Sequence, residues 1–296
     1  MQLVSFCYQQ VVALRNGLFD QGFLPIYHST KPVVSIGNIA AGGTGKTSLT
    51  ELIARKVGRP VAILERGYKS AVTLDEPFIV TSPLEGDEAF MLASKLPFAK
   101  VIVGKKRVES AKFAETLDVD YILMDDGMQH RYLHRDIEIV VLHREGGFLR
   151  ESLTSLIRAD YVVINGVRKE EEVAFLQKYT DAPLIGVAYE VLNGEEFCNR
   201  KVSAFCGIGK PEPFYALLEE MGCHIVTKKT LSDHAKFEGV EEFIEEALEK
   251  GAEKIVCTEK DFIKLSAGVS PLKVALKVQF GEKHLEKMLE RLSDLF

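Results

Sequence analysis

A short glycine-rich segment stands between an apolar run that ends at Ile36 and a helical pattern that begins at Lys46, and it reads AGGTGKT over residues 41–47. Glycines let successive backbone N–H groups converge on phosphate oxygens without Cβ collisions. The helix that follows adds the positive end of its dipole, Lys46 adds a mobile charge, and the Thr47 hydroxyl can ligate magnesium. This order of elements predicts a P-loop that binds ATP and Mg²⁺.

One position departs from the complete P-loop pattern, because Ala40 stands five residues before Gly45 where that pattern has glycine. Two further glycines supply the missing backbone freedom. The alternative interpretation is a glycine-rich connector that binds nothing, and the GKT triplet in a strand–loop–helix context favours the phosphate site. The residues assigned to the phosphates are Gly42, Gly43, Thr44, Gly45, Lys46 and Thr47.

Apolar runs alternate with helical patterns through most of the chain. Near-continuous apolar character is typical of strands buried on both faces of a parallel sheet, and strand–helix alternation implies right-handed βαβ units. The predicted strands are 32–36, 61–64, 101–103, 121–124, 137–142 and 161–164, with helices at 46–57 and 106–117 between them. The predicted fold is α/β: a P-loop NTPase-like, mostly parallel sheet flanked by helices, with a second, smaller α/β domain.

The strand–helix pattern restarts after about residue 185. The sequence therefore predicts a P-loop kinase domain over 1–186, which includes an amphipathic N-terminal helix, and a smaller α/β domain over 187–296. Alternating runs at 187–192 and 274–280 are predicted as linker strands that pair with each other, and 284–295 as an amphipathic C-terminal helix.

The N-terminal segment carries apolar residues every three or four positions, which places them on one helical face: Leu3, Cys7, Val11, Leu14 and Leu18. Polar residues interrupt the segment, so it is too polar to span a bilayer, and it lacks the basic start and cleavage site of a signal peptide. Two interpretations stay open: a helix packed on its domain, or an amphipathic helix lying in a membrane interface.

Composition excludes some classes of protein. The net charge of −6 argues against a general nucleic-acid binder, because no strong positive field is present to gather a phosphate backbone. The five cysteines are scattered and without CxxC spacing, which predicts reduced thiols and no cysteine metal site.

A second candidate site follows the apolar run Tyr121-Ile-Leu-Met, which ends in Asp125, Asp126 and Gly127. A P-loop enzyme places the carboxylate that holds magnesium, directly or through water, after such a strand. Alone, a strand ending in Asp-Gly is as typical of a simple turn. The P-loop upstream favours the metal, so the predicted magnesium residues are Thr47, Asp125 and Asp126.

The motifs taken together resemble one known family, the tetraacyldisaccharide 4′-kinases. The residues that carry the resemblance are Ser35-Ile-Gly-Asn38 before the P-loop, Arg66-Gly-Tyr68, Gly86-Asp87-Glu88, Asp125-Asp-Gly-Met-Gln-His130, His134-Arg-Asp136, Leu149-Arg-Glu151, Asp233-His234 and Thr258-Glu-Lys-Asp261. The resemblance covers nearly the whole chain. It implies ATP·Mg²⁺ as phosphate donor and a membrane-embedded acylated glucosamine disaccharide, the lipid A precursor, as acceptor on the inner face of the bacterial inner membrane, which the N-terminal helix would contact.

The resemblance also implies residue roles. Asp87 is the expected catalytic base, His234 the partner that orients it, and Lys46 the catalytic cation. Without the resemblance, Asp87 would be read as a helix-capping residue.

Further phosphate contacts are expected from Arg66, in the turn after a buried strand, and from Gln129 and His130, with Arg107 and Arg150 as additional candidates. Thr258-Glu-Lys-Asp261 has the wrong order for a guanine-selecting motif, so GTP is not predicted.

Two other functions compete with a lipid-precursor kinase. One is a soluble P-loop NTPase that acts on a protein partner, and the other is a membrane-peripheral nucleotide sensor. A kinase needs an acceptor cleft, which the second domain can supply, whereas an NTPase needs a residue that orients water.

Overall fold

The computed structural model describes residues 2–40, 43–67, 76–143, 149–166, 170–232, 239–265 and 268–296, with the backbone alone at 2–9 and 170. The chain divides into two compact units. The larger comprises Met1–Ala188 together with Leu276–Phe296, and the smaller is Tyr189–Ala275.

Thirteen strands lie within the described ranges: β1 Val33–Gly37, β2 Val61–Glu65, β3 Phe78–Ile79, β4 Ala99–Val103, β5 Tyr121–Asp125, β6 Ile137–His143, β7 Tyr161–Asn165, β8 Leu184–Val191, β9 Lys201–Cys206, β10 His224–Thr230, β11 Lys254–Thr258, β12 Ser270–Leu272 and β13 Val274–Phe280. The helices are α1 Gln2–Asp20, α2 Lys46–Val57, α3 Asp87–Lys95, α4 Arg107–Glu115, α5 Glu170–Leu176, α6 Glu212–Glu220, α7 Val240–Glu249, α8 Glu259–Phe262 and α9 Glu282–Ser293. Short 3₁₀ turns cover Pro83–Glu85, Leu153–Arg158 and Gly194–Glu196.

The larger sheet has the strand order β13-β8-β7-β6-β1-β5-β2-β4-β3. The strand pairs from β8 through to β4 run parallel, and β3 is an antiparallel edge strand. β1, β2, β5 and β7 are buried along their whole length, because helices cover both faces and the strand residues are nearly all apolar. The predicted α/β fold with a mostly parallel sheet is confirmed.

The C-terminal helix corrects the predicted domain division. The sequence placed it in the smaller domain, but Leu285, Met288 and Leu292 of α9 are buried in the same core as Leu49 and Ile53 of α2. The apolar face of α9 completes one face of the larger sheet, and this is why the chain returns to the larger unit after residue 275.

The predicted pairing of the two linker strands is confirmed, because β8 and β13 are neighbours in the larger sheet. β8 begins earlier than expected, at Leu184, and its other neighbour is β7. The two runs therefore extend the nine-stranded sheet, and they do not form a separate two-stranded connection.

The smaller unit contains a parallel sheet with the strand order β10-β9-β11-β12. Phe214 and Leu218 of α6 pack in one apolar core, and Phe243 and Ala247 of α7 pack in another, so the two helices cover opposite faces. β12 was not predicted, because a three-residue edge strand containing proline carries no alternating pattern.

The N-terminal helix α1 presents two different faces. Val12 and Phe19 are buried, whereas Val11 and Leu14 are 67% and 70% exposed and Leu18 is also exposed. The helix packs on the larger unit through Val12 and Phe19, whereas the described residues of the predicted apolar stripe are exposed. A membrane contact of that stripe stays a prediction. No helix in the described part of the chain combines the length and apolar character needed to cross a membrane.

Candidate active site

The site forms where the ends of β1 and β5 come together. Ile36 in β1 is level with Asp125 in β5, so the chain leaves both strands at the same edge of the sheet. A Cβ at Gly37 would lie 2.4 Å from Cβ of Met128, which only glycine avoids. This close approach places the Asp125–Asp126 turn beside the glycine-rich loop, at the carboxyl edge where open α/β sheets bind ligands.

The glycine-rich loop is held in place by two asparagines. Asn38 Nδ2 donates to Thr44 Oγ1 at 2.9 Å, and Asn165 Nδ2 from β7 donates to the carbonyl oxygen of Thr44 at 3.2 Å. Gly45 has φ 91°, a left-handed conformation that favours glycine, and it is the N-cap of α2. α2 therefore begins at Lys46, directly after the loop, so its N-terminal backbone N–H groups can bind an anion beside the lysine. Gly42, also assigned to the phosphates, lies outside the described residues.

Asp125 and Thr47 form the pair that fits a magnesium ion. Thr47 Oγ1 lies 3.4 Å from Asp125 Oδ2, and Thr50 Oγ1 donates to Asp125 Oδ1 at 3.2 Å. A hydroxyl and a carboxylate beside a phosphate loop are the hard oxygen donors that Mg²⁺ takes together with phosphate oxygens and water. Among the described residues, no cluster of three or more His, Cys, Asp or Glu side chains is arranged to hold a metal ion.

Asp126 makes different contacts from Asp125. Its carboxylate accepts hydrogen bonds from Arg150 at 2.7 and 3.1 Å and lies 3.4 Å from Lys46 Nζ. Burial alone would raise its pKa, but the Arg150 hydrogen bonds and the Lys46 charge lower the pKa well below its ordinary value. Asp126 is thus an ionised carboxylate paired with two cations beside the loop, and its predicted part in binding magnesium stays a prediction.

A buried glutamate at the end of β2 and a buried arginine at the start of α4 extend the site. Glu65 is 7% exposed and its Oε1 has no hydrogen-bond partner among the described residues. Burial and the charge of nearby Asp125 raise the pKa of Glu65 well above its ordinary value. Arg107 is buried and donates to the carbonyl oxygens of Gly104 and Asp125 at 3.0 and 3.1 Å. Arg107 therefore holds the backbone at Asp125, and its predicted role as a phosphate contact stays a prediction.

The raised pKa of Glu65 makes a prediction about stability. A carboxyl group that stays protonated in the folded protein loses its proton on unfolding, so it costs stability as pH rises above its unfolded pKa, by up to about 1.4 kcal/mol per pH unit. Glu65→Gln removes the titration and keeps a hydrogen-bond donor. We expect its melting temperature to exceed that of the parent by an amount that grows between pH 5 and pH 8, measured by scanning calorimetry with chelator present. Glu109→Gln, on the exposed side of α4, is the control and should show no such trend. A difference that does not change with pH would contradict the burial of a protonated acid.

The side chain of Gln129 is hydrogen-bonded beside the glycine-rich loop, and its predicted contact with phosphate stays a prediction. Its Nε2 donates to the carbonyl oxygen of Asn38 and to Glu151 Oε1, both at 2.9 Å. The side chain thus braces the segment leading into the loop, because its donor group is already engaged there.

His130 and Arg66 both lie near the turns that frame the site. Burial, together with the positive charge of Arg107, lowers the pKa of His130 to about 4, so the imidazole is neutral at physiological pH. Arg66 is exposed in the turn after β2. Their contacts with phosphate stay predictions.

Asp87 is the first residue of α3, and it is half-buried. A Cβ at Gly86 would lie 3.6 Å from Cα of Gly67, so the start of α3 packs against the turn that follows β2 and Arg66. This puts the predicted base on the same edge of the sheet as Asp125. His234, its predicted partner, lies outside the described residues.

Sequence reasoning missed the part played by Glu151, which is buried beneath the site. It accepts hydrogen bonds from Asn16, Gln129 and Arg158. The only signal was its place after Leu149-Arg150, because a glutamate in a loop is ordinarily exposed.

Comparison with known proteins identifies relatives along the whole chain. The model of the tetraacyldisaccharide-1-P 4′-kinase family (LpxK) matches residues 1–294. The chain is 34% identical to the tetraacyldisaccharide 4′-kinase of Desulfotalea psychrophila, over 91% of this chain and 88% of the relative. It is 32% identical to the enzyme of the same name from Chlorobium phaeovibrioides, over 98% of this chain and 96% of the relative.

A solved structure has the same fold. The crystal structure of LpxK from Aquifex aeolicus in complex with ATP superposes with a TM-score of 0.81 at 30% sequence identity, and the match covers 100% of this chain and 98% of that one.

Proposed function

The chain belongs to the tetraacyldisaccharide-1-P 4′-kinase family, and we propose that its loop-centred site transfers the γ-phosphate of ATP to the 4′-hydroxyl of a tetraacylated glucosamine disaccharide. It is an ATP-dependent phosphotransferase of lipid A biosynthesis, and the competing NTPase and nucleotide-sensor interpretations are not favoured. The proposal is tested by isolating the phosphorylated lipid product.

The observation that carries the proposal is the convergence of Lys46, Thr47, Asp125 and Asp126 on the N-terminus of α2. Phosphoryl transfer needs in-line positioning and neutralisation of charge on the γ-phosphoryl oxygens more than covalent chemistry. Lys46 can turn from Asp126 towards the phosphates, and Arg150 keeps Asp126 ionised when it does so. The loop amides and the α2 dipole stabilise the charge that develops in the transition state.

The proton of the acceptor hydroxyl needs a base close to the transferred phosphoryl group. Asp87 supplies a carboxylate from the start of α3, and we assign the hydroxyl proton to that carboxylate as the new P–O bond forms and the bond from the γ-phosphorus to the β–γ bridging oxygen breaks, which releases ADP. His234 would donate a hydrogen bond that orients the carboxylate, as the third member of other base assemblies does.

The residues that would hold Mg²⁺ are Thr47 and Asp125, with Asp126 placed to act through Lys46 and Arg150. When bound, Mg²⁺ neutralises negative charge on the β- and γ-phosphates. The proposed assignment rests on the 3.4 Å approach of Thr47 Oγ1 to Asp125 Oδ2 and on burial of that carboxylate.

Two substitutions test the magnesium assignment. Thr47→Ala and Asp125→Asn should each raise the Mg²⁺ concentration that gives half-maximal activity by about 10-fold or more, because each removes an oxygen donor of the ion or of its waters. Activity is titrated against Mg²⁺ at saturating ATP. Asp118→Asn, an exposed aspartate beyond α4, is the matched control. If both variants reach half-activity at the parent's Mg²⁺ concentration, the ion is held elsewhere.

The acceptor carries four acyl chains, so the enzyme must meet it at a bilayer surface. We propose that the protein lies peripherally on the cytoplasmic face of the bacterial inner membrane, with the exposed apolar stripe of α1 in the lipid interface. Val11, Leu14 and Leu18 form a solvent-exposed stripe, and further exposed apolar side chains follow at Phe23 and Ile26. An exposed apolar stripe of this kind is a mark of an interfacial surface.

The membrane proposal predicts a change in lipid partitioning. The double substitution Val11→Ser and Leu14→Ser should weaken binding to phosphatidylethanolamine–phosphatidylglycerol vesicles by about 10-fold or more, because each apolar side chain contributes on the order of 1 kcal/mol or more when buried. Vesicle co-sedimentation measures this. Leu248→Ser, which removes another exposed leucine from α7, should leave vesicle binding unchanged. Equal partitioning of the parent and both variants would mean that another surface holds the membrane.

A further inference from the structure

The polar face of α1 makes direct contacts with the body of the site. Asn16 Nδ2 donates to Glu151 Oε2 at 2.9 Å, and Arg15 Nη2 donates to the carbonyl oxygen of Gln129 at 3.1 Å. In return, Arg131 Nη1 donates to the carbonyl oxygen of Asn16 at 2.9 Å. The helix that exposes an apolar stripe on one side is therefore hydrogen-bonded on the other side to the segments that frame the phosphate loop.

The hydrogen bonds continue from Glu151 to the phosphate loop. Gln129 Nε2 bridges Glu151 Oε1 and the carbonyl oxygen of Asn38, each at 2.9 Å, and Asn38 Nδ2 reaches Thr44 Oγ1 at 2.9 Å. The path from Asn16 to Thr44 thus runs through Glu151, Gln129 and Asn38 without a gap. Glu151 is 2% exposed and Asn38 is fully buried, so little solvent screens these contacts.

The backbone carries a second connection between the same parts. Ala40 and Leu149 form an antiparallel bridge, and the amides of Arg150 and Glu151 both donate to the carbonyl oxygen of Ile39. A displacement of Glu151 therefore moves the backbone of Arg150, whose guanidinium holds Asp126. The position of Glu151 affects both the entry to the loop and the carboxylate beside Lys46.

Some polar atoms of this path lack partners. Among the described residues, Arg15 Nε, Asn16 Oδ1 and Gln129 Oε1 are buried without a hydrogen bond. A buried polar group without a partner is costly, so this arrangement is not the one that stability alone would favour.

We propose that Asn16 is a positioning residue for the nucleotide site, acting through Glu151 and Gln129 on the phosphate loop. The inference rests on the proposed function, because the exposed stripe of the same helix is the surface proposed to meet the acceptor's membrane. Engagement of α1 by lipid and binding of ATP are then coupled through one helix. By linkage, a coupling that strengthens ATP binding when α1 is seated strengthens seating of α1 when ATP is bound.

The test measures ATP affinity directly, by fluorescence titration with Mg²⁺ and without acceptor, so that its result stands whether or not the acceptor is correctly assigned. Asn16→Ala removes the hydrogen bond to Glu151, and Asn16→Leu removes it while keeping the side-chain volume. Both should weaken ATP binding by about 5- to 10-fold, the lower part of the range for coupled sites. Leu14→Ala, two residues away on the exposed stripe, should leave ATP affinity at the parent's value.

Steady-state kinetics separate positioning from loss of fold. At saturating lipid, Asn16→Ala should raise KM for ATP, whereas Leu14→Ala should leave KM for ATP at the parent's value and raise KM for the lipid. Partial unfolding lowers kcat by the fraction lost and moves neither KM.

A double-mutant cycle with Gln129→Ala identifies the route. If Asn16 acts through Gln129 and Glu151, adding Asn16→Ala to Gln129→Ala should weaken ATP binding by less than about 2-fold more. Parental ATP affinity in both Asn16 variants, or fully additive losses in the cycle, would overturn the proposal. Absence of lipid phosphorylation by the parent protein, with these ATP affinities as expected, would instead overturn the acceptor assignment alone.

Discussion

Replacement of Lys46 by alanine is expected to lower kcat for lipid phosphorylation by about 10²- to 10³-fold, the range for losing one preorganised charge at a transition state. Lys46 is the first residue of α2 and is not among the buried residues of that helix, so the fold should persist. Its partner Asp126 keeps the hydrogen bonds from Arg150 when the lysine is removed. The measurement is initial rate at saturating ATP and lipid, with melting temperature as the check on folding.

Lys56→Ala is the matched control for Lys46. It removes an exposed lysine from the last turn of the same helix and should retain the parent's rate. Turnover by Lys46→Ala within a few-fold of the parent would place the catalytic phosphate site away from the glycine-rich loop.

The second large effect is expected from the proposed base and its partner. Asp87→Ala and His234→Ala should each lower kcat by about 10²-fold or more, the range that general-base catalysis supplies. ATP affinity should change little in either variant, because neither residue is assigned to the phosphates. The measurement is kcat with acceptor, together with ATP affinity from direct titration.

The pairing of Asp87 with His234 is tested by a double-mutant cycle. Residues that act as one unit lose activity non-additively, so the double variant should be scarcely slower than Asp87→Ala alone. Glu85→Gln is the control, because it removes a neighbouring carboxylate that belongs to the capping box of the 3₁₀ turn, and it should keep the parent's kcat. Fully additive losses would mean that the two residues have separate roles.

The fold was predictable because its signals are local. Strands that are buried on both faces appear in the sequence as apolar runs. α2 begins and ends at the predicted residues because Gly45 and Gly58 cap its two ends. The position of α9 was not predictable, because an amphipathic pattern indicates that one face of a helix is apolar but not which sheet that face covers. α1 shows a second limit: its apolar stripe is the exposed face, so the pattern did not identify the face that packs on the larger unit.

The parts of the candidate site that were predictable from the sequence are those formed by short motifs with a single known chemistry. The loop and Asp125 follow from their places after β1 and β5. The different contacts of Asp125 and Asp126 could not be predicted from the sequence, because those of Asp126 depend on Arg150, which lies 24 residues further along the chain. Glu65 and Glu151 were missed as buried acids for a related reason: burial of a charged side chain is a tertiary property that no local pattern signals.

Transfer of phosphate from ATP to a lipid hydroxyl is the reaction on which every assignment of a site residue depends. Purified protein is incubated with Mg²⁺, γ-labelled ATP and detergent-dispersed acylated disaccharide 1-phosphate, and the lipid is isolated and analysed by thin-layer chromatography and mass spectrometry. We predict a lipid that carries the label on the 4′-oxygen, formed in proportion to the ADP released, and absent with Lys46→Ala. Label recovered only as inorganic phosphate, at a rate that the lipid does not change, would contradict the account.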